Sequence, residues 1–249
     1  MNIEKRRQDI IHYLMKNGIV SVNHLIEIMK ESPATIRRDL TFLEENGYIS
    51  RSRGYAKYIQ PDIVHQIRIT DGQVAVAREA AKLIPANSTI FLDSGASALA
   101  LAQQITNRDD ITVITNSLTA ANVLAATNVT TYVIGGYLEG RQEALVGPEA
   151  EKYIRTMKFP ILFLTTTGVR GTQGLACVTP FQANLKSALI EASEKVVVLA
   201  DAKKFEKDSL RVFADFKNLD IIIVDQPIRN QAQLMALEKN QVELIIAEQ

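Results

Sequence analysis

The stretch Ser32-Pro-Ala-Thr-Ile-Arg-Arg-Asp-Leu-Thr-Phe-Leu-Glu-Glu-Asn-Gly47 constrains this chain more than any other. Ser32 before Pro33 has the chemistry of an N-cap followed by proline at the first helical position, where the missing N–H costs nothing. Ile36, Leu40 and Leu43 recur at helical spacing as one apolar stripe, and Asn46-Gly47 reads as a stop. At about 100° per residue the opposite face carries Ala34, Arg38 and Thr41, flanked by Thr35 and Arg37. That face is small, cationic and hydrogen-bonding, on a helix too short to be stable alone. Its shape and charge suit a DNA groove.

The residues before it complete a unit. Residues 3–17 place Ile3, Ile10, Ile11 and Leu14 on one helical face, and Asn17-Gly18 stops that helix. Ile19-Val20 reads as an apolar connector, and Ser21 as the cap of a second helix carrying Val22, Leu25, Ile26 and Met29. Only Lys30-Glu31-Ser32 separates the second helix from the third, the spacing of a helix-turn-helix. Beyond Gly47, two β-prone runs between Tyr48 and Ile59 flank Ser52-Arg53-Gly54, which predicts a hairpin, the wing of a winged helix. Arg51, Arg53 and Lys57 would let it touch phosphates or a minor groove, with Tyr55 and Tyr58 packing it. Gln60-Pro61-Asp62 closes the module, and residues 61–72 read as linker.

Charge supports this division. Residues 1–60 carry ten Lys and Arg against seven Asp and Glu, while the remaining 189 residues carry eighteen against twenty-one. A basic head on an acidic body suits a nucleic-acid partner for the head alone. The single cysteine, Cys177, excludes an internal disulfide framework and fits a reducing cytosol. The N-terminus lacks the apolar core of a signal peptide, and no run approaches the ~18 apolar residues of a membrane span, so a cytoplasmic protein without membrane association is expected.

From residue 73 the texture changes. Short β-branched runs at Ile90–Leu92, Ile111–Ile114, Thr131–Ile134, Ile161–Leu164, Val196–Leu199, Ile221–Val224 and Leu244–Ile246 alternate with helical segments at 73–84, 97–106, 117–126, 148–158, 182–193 and 229–240. Such alternation predicts an α/β domain over 73–249: three layers, with a mostly parallel sheet covered on both faces. Small polar residues sit where strands end: Asp93-Ser94-Gly95-Ala96-Ser97, Asn116-Ser117, Gly135-Gly136, and Thr165-Thr-Thr-Gly168. Ligands of open α/β sheets bind at those ends, where helix N-termini offer free N–H groups to anions. A phosphate or a polyol would suit a crevice lined this way.

These motifs carry a resemblance. Ser32-Pro-Ala-Thr-Ile-Arg-Arg-Asp-Leu-Thr-Phe-Leu followed by Gly47-Tyr-Ile-Ser-Arg51 resembles the signature of the DeoR family of bacterial transcriptional repressors. The wing departs from the family's H-G-G-A with Ser52-Arg53-Gly54-Tyr55-Ala56. The body is similar to the family's sensor domain, itself similar in fold to ribose-5-phosphate isomerase. Leu92-Asp93-Ser94-Gly95-Ala96-Ser97, Thr115-Asn116-Ser117, Gly135-Gly136, Leu145-Val146-Gly147-Pro148 and Ala200-Asp201-Ala202-Lys203-Lys204-Phe205 follow its motifs, with Ala96 replacing a hydroxyl residue. The resemblance implies a double-stranded DNA operator as partner, a homo-oligomer (dimer or tetramer), and a small phosphorylated sugar or related effector, with Lys204 joining the strand-end residues around it.

Other readings stand beside these. Arg37 and Arg38 either read guanine or clamp phosphate, and the sequence leaves both open. Asp39 is expected to pair internally, since phosphates repel a carboxylate. The loop Asp93–Ser97 has the alternative of a plain helix cap, and Lys204 that of a surface lysine. Cys177 reads as a packed residue, and His12, His24 and His65 lack metal-ligand spacing, so neither metal nor cofactor is expected. A sugar-phosphate isomerase with an accessory DNA module is the rival. Such an enzyme needs a carboxylate base, and Thr165–Arg170 offers none, leaving Asp93 as the remaining candidate. A third alternative is a body that serves oligomerisation alone.

Overall fold

The computed structural model describes residues 3–45, 48–58, 67–139 and 144–248, and divides the chain into two units, Met1–Gln66 and Ile67–Gln249. In the first, helices α1 (Ile3–Asn17), α2 (Val22–Met29) and α3 (Pro33–Glu45) accompany strands β1 (Ile19–Ser21), β2 (Ile49–Ser52) and β3 (Tyr55–Tyr58). The expected stripe Ile36, Leu40 and Leu43 is wholly buried with Ile10, Leu14, Leu25, Ile49 and Ala56. At about 1.5–3 kcal/mol per buried aliphatic side chain, this packing holds a helix that propensity alone would leave marginal.

Three local expectations change. Ile19-Val20 is not a mere connector: β1 pairs with β3, giving a three-stranded antiparallel sheet in the order β1-β3-β2. Ile3 is 53% exposed, because the buried face of α1 turns instead through Arg6, Ile10 and Leu14. Tyr55, expected to pack, is 51% exposed. The expected stop at Asn46-Gly47 and most of the expected linker lie outside the described residues.

The second unit begins at Ile67, and its first helix, α4 (Asp71–Lys82), starts two residues before the expected body boundary. The reason is a capping box: Thr70 Oγ1 accepts from the Gln73 backbone N–H while the Gln73 side chain accepts from Thr70 N. Strands β4 (Thr89–Leu92), β5 (Thr112–Thr115), β6 (Thr130–Val133), β9 (Ile161–Thr165), β12 (Val196–Ala200), β14 (Ile221–Val224) and β15 (Glu243–Ile246) form one parallel sheet in the order β15-β14-β12-β9-β4-β5-β6. Each of the seven β-branched runs is one of its strands.

Helices α4, α5 (Ala96–Gln104) and α6 (Leu118–Leu124) pack on one face through Ala77, Leu101 and Leu124. The opposite face is covered by α7 (Pro148–Ile154), α8 (Pro180–Glu191) and α9 (Gln231–Lys239) through Ile154, Leu189 and Leu237. The three-layer α/β expectation holds. Two small antiparallel sheets were not expected: the hairpin β7 (Tyr137–Glu139) with β8 (Ala144–Val146), and β10 (Gly168–Arg170), β11 (Gly174–Cys177) and β13 (Arg211–Ala214). Both cover the α7–α8 side, contributing Val146, Leu175 and Phe213 to its core.

From β4 the chain moves to β5 and β6 on one side, then returns to lay β9, β12, β14 and β15 on the other. The β4/β9 boundary is therefore the topological switch point, and a crevice is expected outside the carboxyl ends of those two strands.

Candidate functional site

The outward side of α3 is built as the sequence predicts. Ser32 Oγ accepts from the Thr35 backbone N–H at 3.1 Å and lies 2.8 Å from Thr35 Oγ1, so the start of the helix is fixed. Pro33, Ala34, Arg37 and Arg38 are exposed, with Thr35 and Thr41 half-buried beside them. Among the described residues neither Arg37 nor Arg38 has an ion-pair partner.

Asp39, on the same helix, is 2% exposed and takes the guanidinium groups of Arg6 at 2.6 Å and Arg7 at 2.9 Å. The hydrogen bond to Asp39 holds the Arg6 pKa above its ordinary value. Arg7 also stacks 3.6 Å from the Phe42 ring centroid. These contacts bind α1 to α3 and set the angle at which the helix face is presented. The sequence signals for Arg6 and Arg7 were present but unread: cations inside the helical repeat of Ile10 and Leu14.

In the wing, Arg53 and Gly54 both have positive φ (49° and 83°), the geometry of a type I′ hairpin turn, which favours glycine at the second position. Arg53 and Lys57 are exposed. Arg51 behaves differently from a free phosphate contact: its Nε donates to Glu44 Oε2 at 2.8 Å, and its backbone N–H to Glu44 Oε1 at 2.9 Å. Arg51 thus ties the wing to α3, and that bond lowers the Glu44 pKa. A groove between helix and wing is lined by Asn23, Arg37, Arg51, Arg53 and Tyr55.

The second site lies at the switch point. A cavity of about 220 Å³ opens at the carboxyl ends of β4 and β9, lined by Ser94, Gly95, Ala96 and Ser97 at the start of α5. Thr165, Thr166 and Thr167 line it after β9, with Gln182 and Lys186 from α8, Lys204, and Ile67 and Gln73 at the start of the unit. Gly95 is the N-cap of α5 with φ 112°, a conformation open to glycine, so the first turn presents backbone N–H groups instead of a capping side chain.

Not every expected ligand residue reaches this cavity. Asp93 is fully buried behind it, where its Oδ2 accepts from Thr165 N and Oγ1, both at 2.9 Å, and pairs with Lys186 Nζ. Asn116 and Ser117 end β5 and Gly135-Gly136 follow β6, one and two strands away from β4, which at ~4.8 Å per strand takes them off the crevice. There they serve the hairpin: the Asn116 carbonyl accepts from Leu145 N, Ser117 Oγ caps α6, and a Cβ on Gly136 would meet the Val146 carbonyl at 2.6 Å. Gly168 packs under the Lys207 carbonyl, 2.2 Å from where its Cβ would stand. Ser94, Gly95, Ala96, Ser97 and Lys204 are the expected residues that the fold does bring together. Thr165, Thr166 and Thr167, at the strand end named with them, also line it, and Gln73, Gln182 and Lys186 join them unforeseen.

Comparison with known proteins decides the family. A profile of the DeoR-like helix-turn-helix domain matches residues 6–62, and one of the DeoR C terminal sensor domain matches residues 70–226. The chain belongs to the DeoR family. A relative from Escherichia coli O157:H7, whose name assigns it to repression of the aga operon, is 31% identical over 97% of this chain and 93% of its own length. Transcriptional repressor AccR of Agrobacterium fabrum is 30% identical, covering 91% of each chain. The HTH-type transcriptional regulator GlpR of Haloferax volcanii is also 30% identical, covering 89% of each. Ribose 5-phosphate isomerase A of Methanocaldococcus jannaschii has a TM-score of 0.39 and 18% identity over 53% of this chain and 52% of its own, a likeness on which nothing below rests.

This DeoR-family chain is a DNA-binding transcriptional regulator rather than an enzyme. The rival's last candidate base, Asp93, is spent on Thr165 and Lys186, out of reach of a substrate in the cavity. Among the described residues no helix is long and apolar enough to cross a membrane, and no cluster of three or more His, Cys, Asp or Glu is placed to hold a metal ion.

Proposed function

We propose that this DeoR-family regulator is a cytoplasmic repressor of a carbohydrate-utilisation operon whose DNA affinity is set by a phosphorylated sugar in the switch-point cavity. The observation that carries this reading is the pairing of two chemistries in one small cavity. The α5 N-terminus, Ser94, Ser97 and Lys204 suit a phosphate. Threonine hydroxyls and the carboxamides of Gln73 and Gln182 in the same wall suit a polyol. The volume fits a ligand smaller than the drug-sized occupants of ~300–1,000 Å³ pockets.

At the DNA, α3 lies in the major groove with Ser32, Pro33, Ala34, Thr35, Arg37, Arg38 and Thr41 toward it. Arg53 and Lys57 of the wing lie over adjacent backbone, and Arg51 holds the wing in place. One such module makes few contacts, so the protein binds as a homo-oligomer reading half-sites ~34 Å or a multiple apart. The effector shifts DNA affinity only by favouring one arrangement of paired modules over another.

A melting screen tests the effector. Pentose, hexose and glycerol phosphates are each compared with the unphosphorylated parent compound. A true effector at 100 times its Kd stabilises by about 2.7 kcal/mol, a rise of roughly 5–11 °C for a unit of this size, and its parent compound has little effect. Flat curves across the set would remove the effector and leave a body that serves oligomerisation.

A further inference from the structure

Gln73 occupies an unusual place. The residue is 9% exposed and its carboxamide is engaged at both ends: Oε1 accepts from Thr70 N at 3.0 Å, and Nε2 donates to Asp201 Oδ2 at 3.2 Å. A carboxamide has two protons and two lone pairs, so one of each remains for a ligand in the cavity that Gln73 lines. Asp201 is the acceptor that anchors Nε2, and it lies near Lys204 of the cavity wall. Burial and the nearby Asp225 raise its pKa, while Lys204 acts in the opposite direction. A ligand in the cavity therefore reaches Gln73 by direct contact, and an anion on Lys204 sits near its Asp201 anchor.

What Gln73 holds at its other end is the point where the unit begins. Thr70 is the N-cap of α4, and Ile67, three residues earlier, is both the first residue of the unit and part of the cavity wall. Residues 67–70 precede the first helix and are tied to it by the Thr70–Gln73 box. In the sequence, the helix-turn-helix unit precedes this segment.

We propose that Gln73 is the positioning residue through which occupancy of the cavity sets the conformation of the entry segment Ile67–Thr70. This rests on reading the cavity as the effector site. Bound ligand orders the carboxamide, and the carboxamide fixes the Thr70 N–H and the segment before it. Geometry at the start of the unit then differs between empty and filled states, as a regulator of DNA binding requires.

The test is amide hydrogen exchange on the full-length protein, with and without the sugar phosphate that raises the melting temperature most in the screen above. In the wild type, ligand should slow exchange at Thr70 and its neighbours by about tenfold, within the usual range of site-to-site coupling. Gln73→Met keeps the length of the side chain and the Thr70 Oγ1 cap on the helix but loses both carboxamide bonds. It should bind the same ligand up to about tenfold more weakly, through loss of its own contact, while at saturating ligand the exchange response disappears. Gln73→Glu, which keeps an acceptor for Thr70 N and sets a carboxylate against Asp201, is the second variant should Gln73→Met not fold, and it should weaken the response in the same direction. Exchange at Thr70 that ignores bound ligand in the wild type, or responds equally in the variants, overturns the proposal while leaving the effector site standing. So does a loss of ligand affinity beyond about tenfold in both variants, which would make Gln73 a ligand contact alone. A screen in which nothing binds removes the effector reading first, and this proposal with it.

Discussion

Lys186→Met is expected to lower the stability of the C-terminal unit by about 3–5 kcal/mol, a fall in melting temperature of roughly 6–20 °C. Lys186 is 5% exposed and Asp93 fully buried, and Lys186 Nζ also donates to the Thr165 carbonyl at 3.0 Å. Removing the ammonium leaves a carboxylate in the interior with the Thr165 N–H and hydroxyl as its remaining donors, and its Oδ1 has no partner even in the intact protein. The cost arises from stranding one charge more than from losing the attraction between two. Asp93→Ala with Lys186→Met should therefore recover part of the loss, since neither charge is then stranded. Chemical denaturation of the single and double variants checks this. A single-variant loss below about 1 kcal/mol would show the pair to be hydrated and contradict the burial on which the claim rests.

The second large effect concerns the other unit. Asp39→Ala is expected to cost about 2–3 kcal/mol, less than a deep-interior pair because Arg7 is partly exposed and the charges sit one layer below the surface. The substitution leaves Arg6, 7% exposed, with Glu31 at 3.4 Å as its remaining partner, and leaves Arg7 held to α3 by its stacking on Phe42. DNA affinity should fall with stability, because α3 loses its charged tie to α1, whereas Arg38→Ala should lower affinity with stability unchanged. Unfolding of the isolated residues 1–66 would confound the first effect with loss of the fold, so the measurement belongs on the full chain, followed by probes in each unit.

Much of this molecule is written in short-range pattern. The seven strands announce themselves because a strand buried on both faces must be apolar at successive positions, and Ile221–Val224 or Val196–Ala200 admit no other reading. The stripe of α3 was equally plain. The small antiparallel sheets were not, since Gly168–Arg170 and Arg211–Ala214 mix glycine, charge and exposed aliphatics and are held by pairing partners distant in the chain.

The cavity was half legible. Residues at the ends of β4 and β9 were named because strand ends bear ligands, but sequence order does not say which ends are neighbours. Four ends looked alike, and only the strand order separates the switch point from Asn116, Ser117, Gly135 and Gly136. Lys186 left a trace that was missed: it falls on the same helical repeat as Gln182 and Leu189, so a charge sits on the buried face of α8. Gln73 was hidden for a different reason. The capping box Thr70-x-x-Gln73 was not recognised, so the helix was started at the residue that closes the box.

The most direct measurement on the central claim, that the exposed cationic side of α3 is what meets DNA, is a salt-dependent gel-shift titration on a duplex enriched from random sequence. Wild-type protein is compared with Arg37→Ala and Arg38→Ala. Each substitution should weaken binding by about 5- to 150-fold at fixed salt, and one that removes a phosphate contact should shorten the slope of log affinity against log salt by about one unit, with melting unchanged. Affinity and slope that match the wild type in both variants would mean that α3 does not dock on the duplex, and would contradict the account.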